Sequence, residues 1–346
     1  MTTTSTRNRD FFNARTNKKD EFYTSLIDIE EEVQFYPGQF EGKVVYCNCD
    51  DPRTSNFVHF FSNNFENLGL KRLIASCIAP AYSSDGVDPT HHGLLYEQSK
   101  PLQARSARNI TPLEGDGNYQ SEECLSLLDS SDIVVTNPPF SRFRNFLSLL
   151  HECNKHFLIL GNLNALTYKE VFPHFKSGTL RYGPSIRSGD REFEVPSSYP
   201  LTASGVREDE NGRRFIRVKG VRWFTNLTPA VTVPPLTLTK TFDESDYPHY
   251  TNYEAIHVSR TKDIPFDYPG AMGVPISFMD KFNPKQFEII GSSKGLAKPM
   301  DRIAEKGSYV PGGPRFYLPN EDGTYRRMYD RIVIRNKSLN SGNREP

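Results

Sequence analysis

Four consecutive residues, Asn137, Pro138, Pro139 and Phe140, combine two hydrogen-bond acceptors, a stiff backbone and a flat apolar ring. Adjacent prolines hold φ near about −65° and remove two N–H donors, so this turn offers carbonyl oxygens without competing donors. The Asn137 side-chain oxygen and the Pro138 carbonyl can together accept both hydrogens of an exocyclic amino group, and Phe140 gives a planar ring a face to lie against. A planar amine is a poor nucleophile because its lone pair is delocalised, and two acceptors on its hydrogens favour the pyramidal geometry that frees the pair. Asn does not titrate, so the turn supplies no general base, which suits attack on a methyl sulfonium with the proton leaving afterwards. The competing reading is an ordinary turn, since Asn-Pro dipeptides initiate turns anyway.

The preceding element favours the chemical reading. Ile133, Val134 and Val135 form the short apolar run of a buried parallel strand, and in open α/β sheets ligands sit at the carboxyl ends of strands. Strand-like runs alternate with helical ones from Lys43 onward, which predicts a parallel α/β sheet with helices on both faces. The run Val44, Val45, Tyr46, Cys47 predicts a first strand ending in the polar loop Asn48, Cys49, Asp50, Asp51, Pro52. Phe57, Val58, Phe61, Phe65 and Leu68 mark one apolar helix face, closed by Gly69. Residues 71–78 read as a second strand, 80–111 as a loop, 122–128 as a short helix, and Phe143, Phe146, Leu147 and Leu150 as a helix face before a strand at 157–160 ended by Gly161. Beyond Arg213 the pattern breaks into short strand-like pieces, among them 215–218 and 231–233, which predicts an irregular mixed or β region.

Composition narrows the class. The chain has 346 residues with 36% hydrophobic and 12% aromatic content, enough to bury a large core. Lys and Arg total 42 against 42 Asp and Glu, so only local patches can favour a polyanion. No stretch approaches the roughly 18 apolar residues of a spanning helix. Five cysteines argue for reduced thiols and a cytoplasmic protein rather than a disulfide framework. Cys47 and Cys49 stand two apart without a second pair to complete a zinc site, and His91 and His92 lack ligand neighbours, so no metal is expected.

Two basic regions remain. Arg213 and Arg214 lead into Arg217, Lys219, Arg222 and Trp223, a basic stretch interleaved with aromatics. Trp223 either borders a base pocket or sits in the core beside an exposed strand. From residue 281 onward 13 Lys and Arg stand against 7 Asp and Glu, concentrated around Arg326, Arg327, Arg331 and Arg335. This end is either a phosphate-contacting surface or a solvated charged face.

The stretch from Asp132 to Ser141 resembles motif IV of amino-directed S-adenosylmethionine methyltransferases. Together with the residues Lys19 to Thr24, the segment from Gly42 to Phe57 and the segment from Met272 to Pro284, it resembles the EcoRI-type adenine-specific DNA methyltransferases over residues 18–334. The resemblance implies a Rossmann-like methyltransferase sheet, S-adenosylmethionine as cofactor, and methylation of adenine N6 in double-stranded DNA. It implies Phe22, Tyr23 and Thr24 near the cofactor methionine, Cys47, Asn48, Asp50 and Asp51 in the loop beneath it, and Asp116 near its adenine. A base inside a duplex is out of reach, so the reaction requires base flipping, with Phe140 stacking on the extruded adenine.

The chain departs from the general methyltransferase pattern at two places. The loop from Cys47 to Pro52 has no glycine, and the second strand ends in Ser76, Cys77, Ile78 instead of an acidic residue. Asp50 or Asp51 could replace that carboxylate, or both could belong to a solvated turn. The expected organisation is a flexible arm over residues 1–17, a catalytic domain over 18–235 and a target-recognition, DNA-binding region over 236–346. A restriction endonuclease acting on the same site is a potential partner. The rival readings are methylation of RNA or of a protein glutamine, and a catalytically silent DNA-binding module.

Overall fold

A computed structural model describes residues 24–78, 92–101, 110–187, 189–195 and 205–339. The expected arm, and Phe22, Tyr23 and His91, lie outside the described residues. The chain divides into two compact units: residues 1–162 with 181–231, and residues 163–180 with 232–346.

The first unit is built on one sheet. Helix α1 (Leu26–Val33) precedes β1 (Val44–Asn48), α2 (Asn56–Asn63) and β2 (Arg72–Cys77). Then come β3 (Leu94–Gln98), β4 (Ile110–Pro112), α3 (Glu122–Asp129), β5 (Ile133–Thr136), α4 (Phe143–Glu152) and β6 (His156–Asn162). After the departure of residues 163–180 the chain returns as β7 (Arg181–Tyr182), β8 (Asp190–Val195), β9 (Val206–Glu208), β10 (Arg214–Lys219) and β11 (Val221–Thr225). The sheet order is β4-β3-β2-β1-β5-β6-β11-β7, and β8, β10 and β9 form a separate antiparallel sheet. Strands β2, β1, β5 and β6 run parallel, whereas β3, β4, β11 and β7 are antiparallel additions, so the sheet is mixed.

The four parallel strands are almost wholly apolar because both faces are covered. Successive side chains of β11 show it: the Trp223 ring meets Phe57 of α2 edge-on at 6.0 Å, and Phe224 meets Phe143 of α4 at 4.8 Å. Alternation along a strand thus assigns α2 to one face and α4 to the other. Serine caps start three helices, Ser25, Ser55 and Ser121 each accepting from a first-turn amide.

Three sequence expectations change. Residues 80–111 are not all loop, since β3 and β4 extend the sheet there. Their pattern is weak because both strands are only partly buried, β3 in alternation and β4 hardly at all. Strand β6 continues through Gly161, which sits under the Phe143 ring, where a Cβ would collide with it. Residues 231–233 form no strand, since Pro229 before them and Pro234 and Pro235 after them leave too short a run of donors for a ladder.

The second unit holds α5 (Phe172–Ser177), β12 (Ile256–His257), β13 (Met272–Pro275), β14 (Phe287–Ser292), α6 (Ser293–Leu296), β15 (Tyr317–Pro319), β16 (Tyr325–Arg327) and β17 (Arg331–Asn336). Its strands form a four-stranded sheet in the order β12-β13-β17-β14 and a β15-β16 hairpin. Tyr250, Phe316, Leu318 and Val333 fill part of its core. Among the described residues no helix is long and apolar enough to cross a membrane, and no group of His, Cys, Asp and Glu could hold a metal ion.

Candidate active site

Parallel pairing of β1 with β5 sets the carboxyl end of one beside that of the other. The loop after β1 and the turn Asn137, Pro138, Pro139, Phe140 therefore emerge side by side, and hydrogen bonds tie them. Thr136, the last residue of β5, brings its hydroxyl to 2.6 Å from the Asn48 carbonyl oxygen and 2.5 Å from the Asp50 carboxyl. The other Asp50 oxygen accepts from Ser55 Oγ at 2.7 Å, which joins the N-cap of α2 to the same point. Asp50 is buried, and burial pushes its carboxyl up to about 7 against the lowering effect of the two hydroxyls. Asp51 is instead partly exposed, its carboxylate clasped by Arg53 at 2.6 Å.

The Asn137 amide is oriented by Thr24. Its Nδ2 donates to Thr24 Oγ1 at 3.2 Å, so the nitrogen is committed and the oxygen is fixed as the acceptor. Pro138 is buried, and Phe140 is half-buried against the core as the first residue of a single 3-10 turn that leads into α4. Thr24 thus reaches the turn.

The missing glycine of the β1 loop has a physical substitute. Cys49 adopts φ +85°, a left-handed conformation that favours glycine, and is held there because the Cys49 and Asp50 amides both donate to the Ser76 carbonyl, at 2.9 and 3.1 Å. It therefore leaves the strand rather than sharing a face with Cys47. Cys49→Gly is expected to keep or raise the melting temperature, and Cys49→Val to lower stability by about 1–2 kcal/mol because β-branching aggravates the strain. Thermal melts of the two variants check this pair.

At the end of β2, two glycines allow backbones to touch. A Cβ on Gly93 would stand 2.6 Å from both the Cys77 carbonyl oxygen and the Gly117 Cα, and Gly117 itself has φ +76°. This contact sets Asp116 next to the carboxyl end of β2, where its Oδ1 accepts from the Asn118 amide at 3.0 Å. Asn48, the last residue of β1, is fully buried with neither its Nδ2 nor its Oδ1 bonded. An unsatisfied buried amide costs about 1–3 kcal/mol, an expense that a bound polar ligand removes. Polar groups from Asn48 at the end of β1 and Asp116 beside the end of β2 fit a nucleoside-bearing cofactor.

Trp223 corrects one expectation. It is fully buried in β11 and packed on Phe57, so it has no surface for a base. Composition could not reveal this, because a basic stretch beside an aromatic looks alike whether the ring faces out or in. Trp223→Ala should cost about 3–5 kcal/mol of stability while leaving the DNA affinity of the folded fraction unchanged, as paired melting and binding titrations would show.

The nearby arginines are neutralised in place. Arg213 pairs with Asp209 at 2.8 Å, Arg214 with Glu208 at 2.9 Å and Arg217 with Asp190 at 3.3 Å. In the second unit, Arg326 and Arg327 are exposed on β16 and line an open groove of about 510 Å³ with Tyr309 and Tyr325. Arg327 spends one nitrogen on the Pro311 and Gly312 carbonyls, and no carboxylate among the described residues pairs with either arginine.

The family described as adenine-specific methyltransferase EcoRI matches residues 10–337. The chain is 44% identical over 334 residues to the Type II methyltransferase M.EcoRI of Escherichia coli, covering 94% of this chain and 96% of that one. It is 38% identical to the Type II methyltransferase M.MpnI of Mycoplasma pneumoniae, with 94% and 98% covered, and 37% identical to M.MgeORF184P of Mycoplasma genitalium, with 95% and 99% covered. No solved structure matches the chain significantly. A match that runs through both units, with the Asn-Pro-Pro-Phe turn at the end of a parallel strand, makes the chain a member of the EcoRI-type adenine-specific methyltransferase family.

Proposed function

We propose that the chain transfers a methyl group from S-adenosylmethionine to the N6 amino group of adenine in double-stranded DNA. The observation that carries this reading is the Asn137 turn: its amide is oriented by Thr24, and it stands beside a β1 loop whose terminal asparagine is buried and unsatisfied. When bound, S-adenosylmethionine supplies an electrophilic methyl group on a sulfonium. The residues suited to hold it are Asn48, the backbone around Cys49 and Asp50, and Asp116, with Phe22 and Tyr23 implied by resemblance. On this reading the four parallel strands are the core of a Rossmann-like sheet, which supports a ligand at their carboxyl ends.

The chain's own residues then act on the adenine. Asn137 Oδ1 and the Pro138 carbonyl accept the two amino hydrogens and pull the nitrogen toward a pyramidal geometry, and Pro139 keeps the turn from relaxing. Phe140 stacks on a base that has left the duplex. Residues 18–235 are read as the catalytic domain and 236–346 as the region that recognises the target. Within the latter, Arg326 and Arg327 are suited to phosphates. Arg213 and Arg214 would reach a phosphate only by exchanging their present carboxylate partners. The reading places the reaction in the cytoplasm, consistent with five free thiols, and brings with it a restriction endonuclease of the same specificity, supported by the Type II names of the relatives.

The test is transfer of labelled methyl groups to duplex DNA, RNA and protein side by side, followed by mapping of the modified atom. Label on adenine N6 of duplex DNA is the expected result. Label confined to RNA or to protein glutamine would overturn the substrate, and cofactor binding without any transfer would favour a silent DNA-binding module.

A further inference from the structure

Thr136 Oγ1 lies within hydrogen-bond distance of two oxygens, the Asn48 carbonyl at 2.6 Å and Asp50 Oδ2 at 2.5 Å. A hydroxyl carries one proton and a carbonyl carries none. If Thr136 gives its proton to Asp50, its lone pairs face the Asn48 carbonyl oxygen at a distance where two acceptors repel. If it gives the proton to Asn48, the Asp50 contact closes only with a proton from Asp50 itself. One arrangement satisfies every atom: Asp50 donates to Thr136, Thr136 donates to the Asn48 carbonyl, and Ser55 donates to the second Asp50 oxygen at 2.7 Å.

The surroundings agree. The titratable groups facing Asp50 are Cys47 of β1, Cys49 and Asp51 of the loop, and Cys77 of β2. The helix α2 and strand β5 present only the Ser55 and Thr136 hydroxyls. None of these groups is a cation, and the nearby Arg53 is engaged by Asp51. Among the described residues no cation compensates a buried Asp50 carboxylate, and burial moves the group toward its neutral form.

We propose that Asp50 is held as a neutral carboxylic acid and is a positioning residue, whose proton locks the loop after β1 to the strand end that carries Asn137. The inference rests on reading that turn as the site of methyl transfer. Ionisation would draw the Thr136 proton toward Asp50 and abandon the Asn48 carbonyl, loosening the loop from the turn. Because the neutral form is the competent one, turnover declines as pH rises through the Asp50 titration.

Asp50→Asn and Asp50→Ala in the full-length chain test this. An asparagine amide donates to Thr136 and accepts from Ser55 without titrating. Asp50→Ala is expected to lower kcat about tenfold or more with the KM for DNA little changed. Asp50→Asn should recover most of that loss and remove the alkaline inflection from the pH profile. Infrared difference spectra of wild type minus Asp50→Asn should show a protonated-carboxyl C=O band that fades as pH rises, a readout that needs neither transfer nor cofactor. An Asp50→Asn variant as impaired as Asp50→Ala, wild-type turnover in Asp50→Ala, or a carboxylate band alone at neutral pH would each overturn the proposal. If Asp50→Ala does not fold, the asparagine variant and the infrared band decide alone. Failure of wild type to methylate DNA would sink the proposed function, while the band would still report the proton on Asp50.

Discussion

Asn137→Ala is expected to bind S-adenosylmethionine and duplex DNA within about threefold of wild type and to lose about 10²–10³ in kcat, roughly 2.7–4 kcal/mol of transition-state stabilisation. The size follows from the acceptor's timing. An amino nitrogen that stays planar gains little from two acceptors, whereas one turning pyramidal as it attacks gains most at the transition state, so removal strikes kcat before KM. Truncation also releases Thr24, whose hydroxyl now receives Nδ2 at 3.2 Å, and Thr24→Val should therefore show a smaller fall in kcat through misorientation of the amide. Single-turnover transfer assays with separate equilibrium binding would resolve the two. Loss of DNA binding in Asn137→Ala with a normal chemical step would falsify the assigned role.

Gly117→Ala is the second large effect. Its φ of +76° is unfavourable for alanine, and the new Cβ would stand 2.8 Å from the Cys77 carbonyl carbon and closer still to its oxygen. Backbone cannot yield there as a side chain can, because Cys77 pairs with Leu94 of β3 and directly follows Ser76, which pairs with Asn48 of β1. The segment from Gly115 to Asn118 must lift away, displacing Asp116. Stability should fall by about 2–4 kcal/mol and cofactor affinity by at least tenfold, because strain and steric overlap add. Calorimetric titration with S-adenosylmethionine, on protein shown to be folded by circular dichroism, provides the check; unaltered affinity would separate Asp116 from the cofactor.

The turn that closes β5 was legible because two effects coincide in one short stretch. An apolar run that only a doubly covered strand tolerates ends at a pair of prolines that only a rigid turn tolerates, so Ile133 to Phe140 declares both its element and its end. The parallel strands and the helices on them were legible for the same reason of periodicity. Cys49 was not, since a cysteine at positive φ leaves no trace in composition and only the two amides converging on Ser76 show that the loop bends as a glycine loop would. The choice between pocket and core for Trp223 was not legible because burial is a property of neighbours distant in sequence, here Phe57. The charge of Arg213 and Arg214 was read without its balance, as antiparallel pairing brings Glu208 opposite Arg214 and lays these arginines among acidic partners. The antiparallel strands β3 and β4 were hidden by their half-exposed pattern.

The exchange of chain between the two units carries a consequence for how such enzymes could be taken apart or recombined. Residues 163–180 leave the first unit directly after β6, belong to the second, and hand the chain back at β7. A stop codon after residue 231 would strand Leu166, Val171 and Phe175, side chains that are buried in the intact chain, and the shortened product would be sticky rather than a free-standing catalyst. Grafting the second unit from a relative would need three splice junctions, near residues 162, 180 and 231. The second unit would on that account change more readily by point substitution than by exchange as a whole module.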